Sequence, residues 1–188
     1  MTRLILIRHG ETDYASQGRY CGLSDPSLNE KGVKQSERLA VRLKEARIDK
    51  VYSSNLKRAY ESAKIIFRGN SIEEIVDFRE MNFGLFEGLR YEEIIKVYPK
   101  LYREWINNPM RVKIPSGEGL VELEKRVKKK LSFIFSQDAG KTIALVSHGG
   151  PIRVILCHLL KLGLESFWKV EQGIGTLRII DYPKGARV

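Results

Sequence analysis

Two histidines in this sequence stand where an apolar run gives out. In "LILIRHGE" (4–11) alternating leucine and isoleucine end in Arg8 and His9, followed by Gly10. In "ALVSHGGP" (144–151) a second apolar run ends in His148, followed by Gly149, Gly150 and Pro151. A third segment, "VYSSNLKRAYESA" (51–63), passes through Ser53 and Ser54 to Arg58. Guanidiniums bind phosphoryl oxygens through charge-assisted, often bidentate hydrogen bonds, and so neutralise and orient the group. A neutral imidazole can attack phosphorus and form a covalent intermediate. Arg8 beside His9, with Arg58 and His148 brought in from elsewhere, therefore points to phosphoryl chemistry. The turn at Gly149–Gly150–Pro151 adds free backbone N–H groups that suit an anion.

Competing uses of the same residues set the weight of this reading. A single arginine or histidine at a strand end more often serves a salt bridge, so the argument rests on convergence of the segments. Zinc binding by His9, His148 and His158 lacks metal-ligand spacing, and His158 falls in an apolar helix stripe, where a structural role is expected. Neither Cys21 nor Cys157 is followed six residues later by the arginine that a cysteine-based phosphatase loop needs.

Convergence requires elements that place these residues at one rim. Strands are expected at 3–7, 49–54, 72–78, 141–146 and 176–182. Helices are expected at about 30–46, 55–67, 91–107 with a break at Pro99, 119–135 and 151–162. Asn29 caps the first, with Val33, Ser36, Ala40 and Leu43 on one face. Pro151 sits near the first turn of the last, where its missing N–H costs nothing. This alternation gives an α/β three-layer sandwich on a largely parallel sheet, in which ligands bind beyond the carboxyl ends of the strands. The segment 79–118 interrupts the alternation and is expected to form a helical cap on a single domain.

The 188 residues are 43% hydrophobic and 30% charged, as in a folded globular chain. No apolar run is long enough to span a bilayer, no secretory signal is evident, and two unpaired cysteines fit a reduced, cytoplasmic setting. The net charge of +10 admits nucleic-acid binding or attraction of an anionic substrate. The densest basic run, "KRVKKK" (125–130), reads as the wet face of a helix whose stripe is Leu120, Leu123, Val127, Leu131 and Ile134. A small anionic substrate is the expected partner, without nucleic acid, membrane or cofactor. The oligomeric state is left open, a homodimer being compatible.

"LIRHGET", "SSNLKRAYESA", "REMNFGLFEG" and "LVSHGGPIR" together resemble the histidine phosphatase superfamily, in its phosphoglycerate mutase-like branch, over about residues 3–160. The resemblance implies that His9 is the phosphate-accepting nucleophile, that Arg8, Arg58 and His148 form the phosphate pocket, and that Glu80 is the general acid and base. It further implies a backbone N–H from Gly149, and Cys21 and Gly22 on the substrate side of the pocket. Relatives commonly carry Asn where this chain has Ala15, which puts the detail of the phosphate cradle in question. The compact length resembles the phosphatases rather than the mutases. "GRYCG", "EMNFGLFEG", "PSGEG" and "EQG" are most similar to α-ribazole-5′-phosphate phosphatases of cobalamin assembly, with metal-independent phosphoserine phosphatases next. A phosphomonoester hydrolase is thus implied. A basic nucleic-acid-binding protein on the same scaffold is the non-enzymatic alternative, and it would need no carboxylate opposite a histidine.

Overall fold

The computed structural model describes residues 1–183. Strand β1 (Thr2–Arg8) leads through a single helical turn, α1 (Asp13–Ser16), to α2 (Glu30–Arg42). Then come β2 (Lys50–Ser53), α3 (Lys57–Ile66) and β3 (Ile72–Glu74). Helices α4 (Tyr91–Val97) and α5 (Pro99–Asn107) lie within 79–118, before α6 (Leu120–Gln137), β4 (Thr142–Ser147), α7 (Gly149–Leu159) and β5 (Leu177–Tyr182). The sheet runs β3-β2-β4-β1-β5, parallel throughout except for β5, which pairs antiparallel with β1.

The period of two along β1 and β4 builds the layers. Leu4 and Leu6 pair in register with Ile143 and Leu145, and all four face α6 and α7 in one buried cluster. Ile5 and Ile7 pair with Ala144 and Val146 and face α2 and α3 in the other. Being apolar on both faces is what makes β1 and β4 continuous hydrophobic runs. The α6 stripe Leu120, Leu123, Val127, Leu131 and Ile134 is buried as expected, while Lys125 and Lys129 are exposed.

Several boundaries move, each for a local reason. The strand expected at 72–78 stops at Glu74 and becomes a 3₁₀ turn at Val76–Phe78. Its partner β2 ends at Ser53, and the turn drops Phe78 into the core instead. Helix α2 ends at Arg42, and the chain tightens into turns at Leu43–Ala46. Its buried face is Gly32, Ser36, Leu39 and Leu43, with Val33 and Ala40 flanking it half-buried. Helix α7 starts earlier than expected, at Gly149, with His148 as its N-terminal flank. His158, expected in the apolar stripe of this helix, is half-buried beside Cys157 and Lys161 at a surface hollow. No helix among the described residues is long and apolar enough to cross a membrane.

Leu145 is 1% exposed at the centre of the larger cluster. Leu145→Ala should lower the unfolding free energy by about 2–5 kcal/mol in urea melts. Val41→Ala, at a position 76% exposed, should change it by no more than about 0.5 kcal/mol. Equal effects would contradict the two-faced core.

Candidate active site

The carboxyl ends of three parallel strands meet at one cavity. Strand β1 delivers Arg8 and His9, and β2 leads through Ser54 to Arg58, the second residue of α3, while β4 leads to His148, expected in the pocket but fully buried and not among the residues lining the cavity. Arg8, His9, Arg58, Glu80, Gly149 and Cys21 all line a cavity of about 320 Å³.

His9 is 6% exposed and held on both sides of its backbone: its N–H donates to Ser147 O at 3.1 Å, and its C=O accepts from Gly175 N–H at 2.9 Å. Gly10 and Gly32 bring the next turn flush against α2, since a Cβ on either would strike the backbone of the other segment. Imidazole Nδ1 lies 2.7 Å from Gly10 O. A carbonyl only accepts, so Nδ1 carries the proton and Nε2 keeps its lone pair. That lone pair accepts from Arg58 Nε at 3.3 Å. Burial first, then the charge of Arg58, holds the His9 pKa well below the ordinary histidine value of 6.5. His9 is therefore a neutral imidazole with an oriented Nε2.

Arg58 is 1% exposed and collared by carbonyls: Nη1 donates to Ser24 O at 2.8 Å, Nη2 to Gly22 O at 2.9 Å and Cys21 O at 3.3 Å. Arg8 donates through Nη1 to Gln172 O at 2.9 Å, and its buried Nε has no hydrogen-bond partner. Burial lowers the Arg8 pKa from the ordinary arginine range, with the Glu80 charge acting against it. Gly149 admits this guanidinium to the start of α7, where a Cβ would lie 3.3 Å from Cζ. Among the described residues neither arginine bonds a carboxylate, so the rim holds partly and fully buried positive charge met by carbonyl dipoles and by the charge of Glu80.

His148 is fully buried, 5.0 Å from His9 between ring centroids, with Nε2 2.8 Å from Ser54 Oγ and Nδ1 unpartnered. Burial, then Arg58, keeps it well below 6.5 also. Glu80 follows the 3₁₀ turn and is 7% exposed. Its Oε1 accepts from Met81 N–H at 2.8 Å and Gly150 N–H at 2.9 Å, while Oε2 has only a 3.3 Å contact to Gly150 N–H. Gly150 is required here, because a Cβ would collide with Oε1. Arg126, in the run expected to be wet, instead pairs with Glu118 at 2.6 Å and donates to Glu80 O at 3.1 Å, fixing the segment that carries Glu80.

Gly22, expected on the substrate side, is not among the residues lining the cavity; its carbonyl holds Arg58 from outside. Cys21 lines the cavity, with burial pushing its thiol up to about 11. Ala15 also lines it, on the turn capped by Thr12 Oγ1. Among the described residues no group of three or more His, Cys, Asp and Glu could hold a metal ion.

The opposite wall holds Phe83, from the aromatic-rich segment "EMNFGLF" (80–86) expected to help line the pocket beyond the phosphate, but the sequence reading missed Tyr20, Trp105, Phe167, Trp168 and Arg153. Arg153 had a usable signal, standing one helical turn after Gly149. Trp168 had none, since it arrives from a segment without periodic pattern; Trp105 sits in α5, within the helix expected at 91–107, but a helical pattern does not say which cavity a buried residue reaches.

The sequence pattern of the histidine phosphatase superfamily (branch 1) matches residues 4–188. A phosphoserine phosphatase 1 from Hydrogenobacter thermophilus is 38% identical over 170 residues, covering 89% of this chain and 81% of that protein. An adenosylcobalamin/alpha-ribazole phosphatase from Salmonella typhimurium is 30% identical over 175 residues, covering 91% of this chain and 87% of that protein. The crystal structure of the alpha-ribazole phosphatase from Shigella flexneri superposes with a TM-score of 0.89 at 28% identity, over 96% of this chain and 91% of that one. With the match spanning almost the whole length and the fold shared, the chain belongs to the histidine phosphatase superfamily, branch 1.

Proposed function

We propose that this phosphatase hydrolyses phosphomonoesters through a phosphohistidine on His9, and that α-ribazole 5′-phosphate is its substrate. The observation that carries the first part is a neutral, oriented imidazole nitrogen beside the buried guanidinium of Arg58 and the partly buried one of Arg8, neither of which bonds a carboxylate among the described residues. Such charge is costly to bury unless an anion meets it. A phosphoryl group beside Arg8, Arg58, His148 and the first N–H groups of α7 supplies that anion.

In the first step His9 Nε2 attacks phosphorus, the P–O bond to the leaving group breaks, and Glu80 gives the departing oxygen its proton. Oε2 is the oxygen free to carry it, because Oε1 is already engaged by Met81 and Gly150 N–H. The positive phosphoimidazole is eased by its Nδ1–H bond to Gly10 O. In the second step water attacks phosphorus, Glu80 takes its proton, and the N–P bond breaks to restore neutral His9. The segment 79–118 acts as the cap, bringing Phe83 and Trp105 over the leaving group.

The leaving group meets an aromatic wall. Tyr20, Phe83, Trp105, Trp168 and Phe167 follow one another in ring contacts with centroids 4.8–6.2 Å apart. Among the described residues lining the cavity, Glu80 is the only carboxylate, so an ammonium would find no counter-charge of its own. A ribosyl-benzimidazole fits that chemistry better than an amino acid does. A second reading, phosphoserine hydrolysis, is favoured by the 38% identity to the Hydrogenobacter protein and by Arg153, which would take a carboxylate.

A substrate panel separates them. On the ribazole reading, kcat/KM for α-ribazole 5′-phosphate should exceed those for phosphoserine and 3-phosphoglycerate by at least about tenfold, roughly 1.4 kcal/mol. A preference for phosphoserine would install the second reading. Glu80→Gln should slow phosphoenzyme formation from alkyl phosphates by about 10²-fold or more, yet largely spare p-nitrophenyl phosphate, whose leaving group needs little protonation. Rapid-quench bursts measure that step, and equal losses would remove Glu80 from the role of acid. His9→Ala should abolish turnover of every substrate. Since arginines supply the positive charge, activity should survive EDTA; loss with recovery on adding Mg²⁺ or Zn²⁺ would refute the mechanism.

A further inference from the structure

Arg58 is held by loop 21–24, and the loop is itself held by a carboxylate that the mechanism does not use. Glu87 stands in "FEG", seven residues beyond Glu80. Its Oε1 accepts from Gly22 N–H at 2.9 Å and Ser24 N–H at 3.0 Å, and its Oε2 lies 3.1 Å from Gly22 N. The same two residues turn their carbonyls the other way, Gly22 O to Arg58 Nη2 and Ser24 O to Arg58 Nη1. Gly22 and Ser24 are therefore sandwiched between an anion and a cation, their N–H groups turned to the carboxylate and their carbonyls to the guanidinium.

The fit leaves no slack. A Cβ on Gly22 would strike Met81 O and come 2.7 Å from Glu87 Oε2. Neighbouring bonds tie the segments further: Gly88 N–H donates to Tyr20 O at 2.8 Å and Tyr20 N–H to Leu89 O at 2.9 Å. Other carboxylates brace the loop farther along, Asp25 on Lys57 N–H and Glu61 on Leu28 N–H, but those bonds lie outside the residues that collar Arg58.

We propose that Glu87 is a positioning residue for phosphoryl binding: its carboxylate fixes loop 21–24 so that Gly22 and Ser24 aim the Arg58 guanidinium beside His9. The inference rests on the assignment of Arg58 to the phosphoryl group. It also makes the clamp and the acid interdependent, because Glu87 and Glu80 belong to one segment, 80–87.

A double-mutant cycle on the full chain tests this, reading kcat/KM for p-nitrophenyl phosphate and Ki for inorganic phosphate in wild type, Glu87→Ala, Arg58→Ala and the double variant. Glu87→Ala alone should lower kcat/KM by about ten- to a hundredfold and weaken phosphate in parallel, but change either by less than about threefold when Arg58 is already alanine. Losses that multiply in the double variant, or wild-type values in Glu87→Ala, would overturn the proposal. Full activity in Arg58→Ala would instead overturn the assignment of Arg58 on which it rests. Should Glu87→Ala fail to fold, Glu87→Gln serves, since it keeps an oxygen for both N–H groups. Its loss should be smaller, under about tenfold, and should again vanish in the Arg58→Ala background.

Discussion

A guanidinium buried to 1% exposure, 3.3 Å from an imidazole nitrogen, is the constraint on which the site depends. An N–H donor cannot point at a protonated nitrogen, so Arg58 dictates that His9 Nε2 carries a lone pair. The same charge adds to burial in keeping the ring neutral. Gly10 O then takes the Nδ1 proton, and the tautomer is settled from both sides of the ring. A surface arginine would bias the ring far less, because the dielectric of water weakens its charge severalfold. Burial makes the charge effective and also makes it costly, and the carbonyls of Cys21, Gly22 and Ser24 meet that cost only in part.

The fold can sustain such a charge because its two cores are finished before the strand ends are reached. Along β1 and β4, Leu4, Ile5, Leu6 and Ile7 meet Ile143, Ala144, Leu145 and Val146, all buried and apolar. The next register, Arg8 opposite Ser147, is where the apolar pairing stops and the polar rim begins. Ser147 Oγ donates to Phe78 O at 2.8 Å, so the rim also anchors the turn that delivers Glu80. Stability and chemistry thus occupy successive registers of the same strands.

What could be read from the sequence follows the same division. Arg8, His9, Arg58 and His148 were legible because each follows a strand pattern, and parallel strands put their carboxyl ends together. Glu80 entered only through family resemblance: nothing local separates it from its acidic neighbours, and its position is set by Gly150 N–H seventy residues away. Gly22, too, was placed on the substrate side only by resemblance, and its carbonyl is instead engaged by Arg58. Arg126 was hidden by its neighbours in "KRVKKK", since charge composition does not tell a solvated lysine from an arginine bridging Glu118 and Glu80 O. The end of β3 was illegible because it depends on where its partner β2 stops.

The cavity joins a cradle and a wall of different origin. The cradle comes from strand ends and the first turns of α3 and α7, locked by register and by close glycine contacts that tolerate no side chain. The wall comes from connecting segments: Tyr20 from the loop before α2, Phe83 and Trp105 from 79–118, Phe167 and Trp168 from the stretch between α7 and β5. Connections can change length and residue without disturbing the sheet. Similar chains named for phosphoserine and for alpha-ribazole, at 38% and 30% identity, fit that arrangement. In this chain the wall is aromatic and bears Arg153 over the Phe167 and Trp168 rings, at 5.5 and 5.6 Å from their centroids. On the proposed mechanism the phosphoryl half of a substrate meets geometry fixed by the fold, while the leaving group meets surfaces that the fold leaves free to differ, and substrate identity has to be argued from the wall.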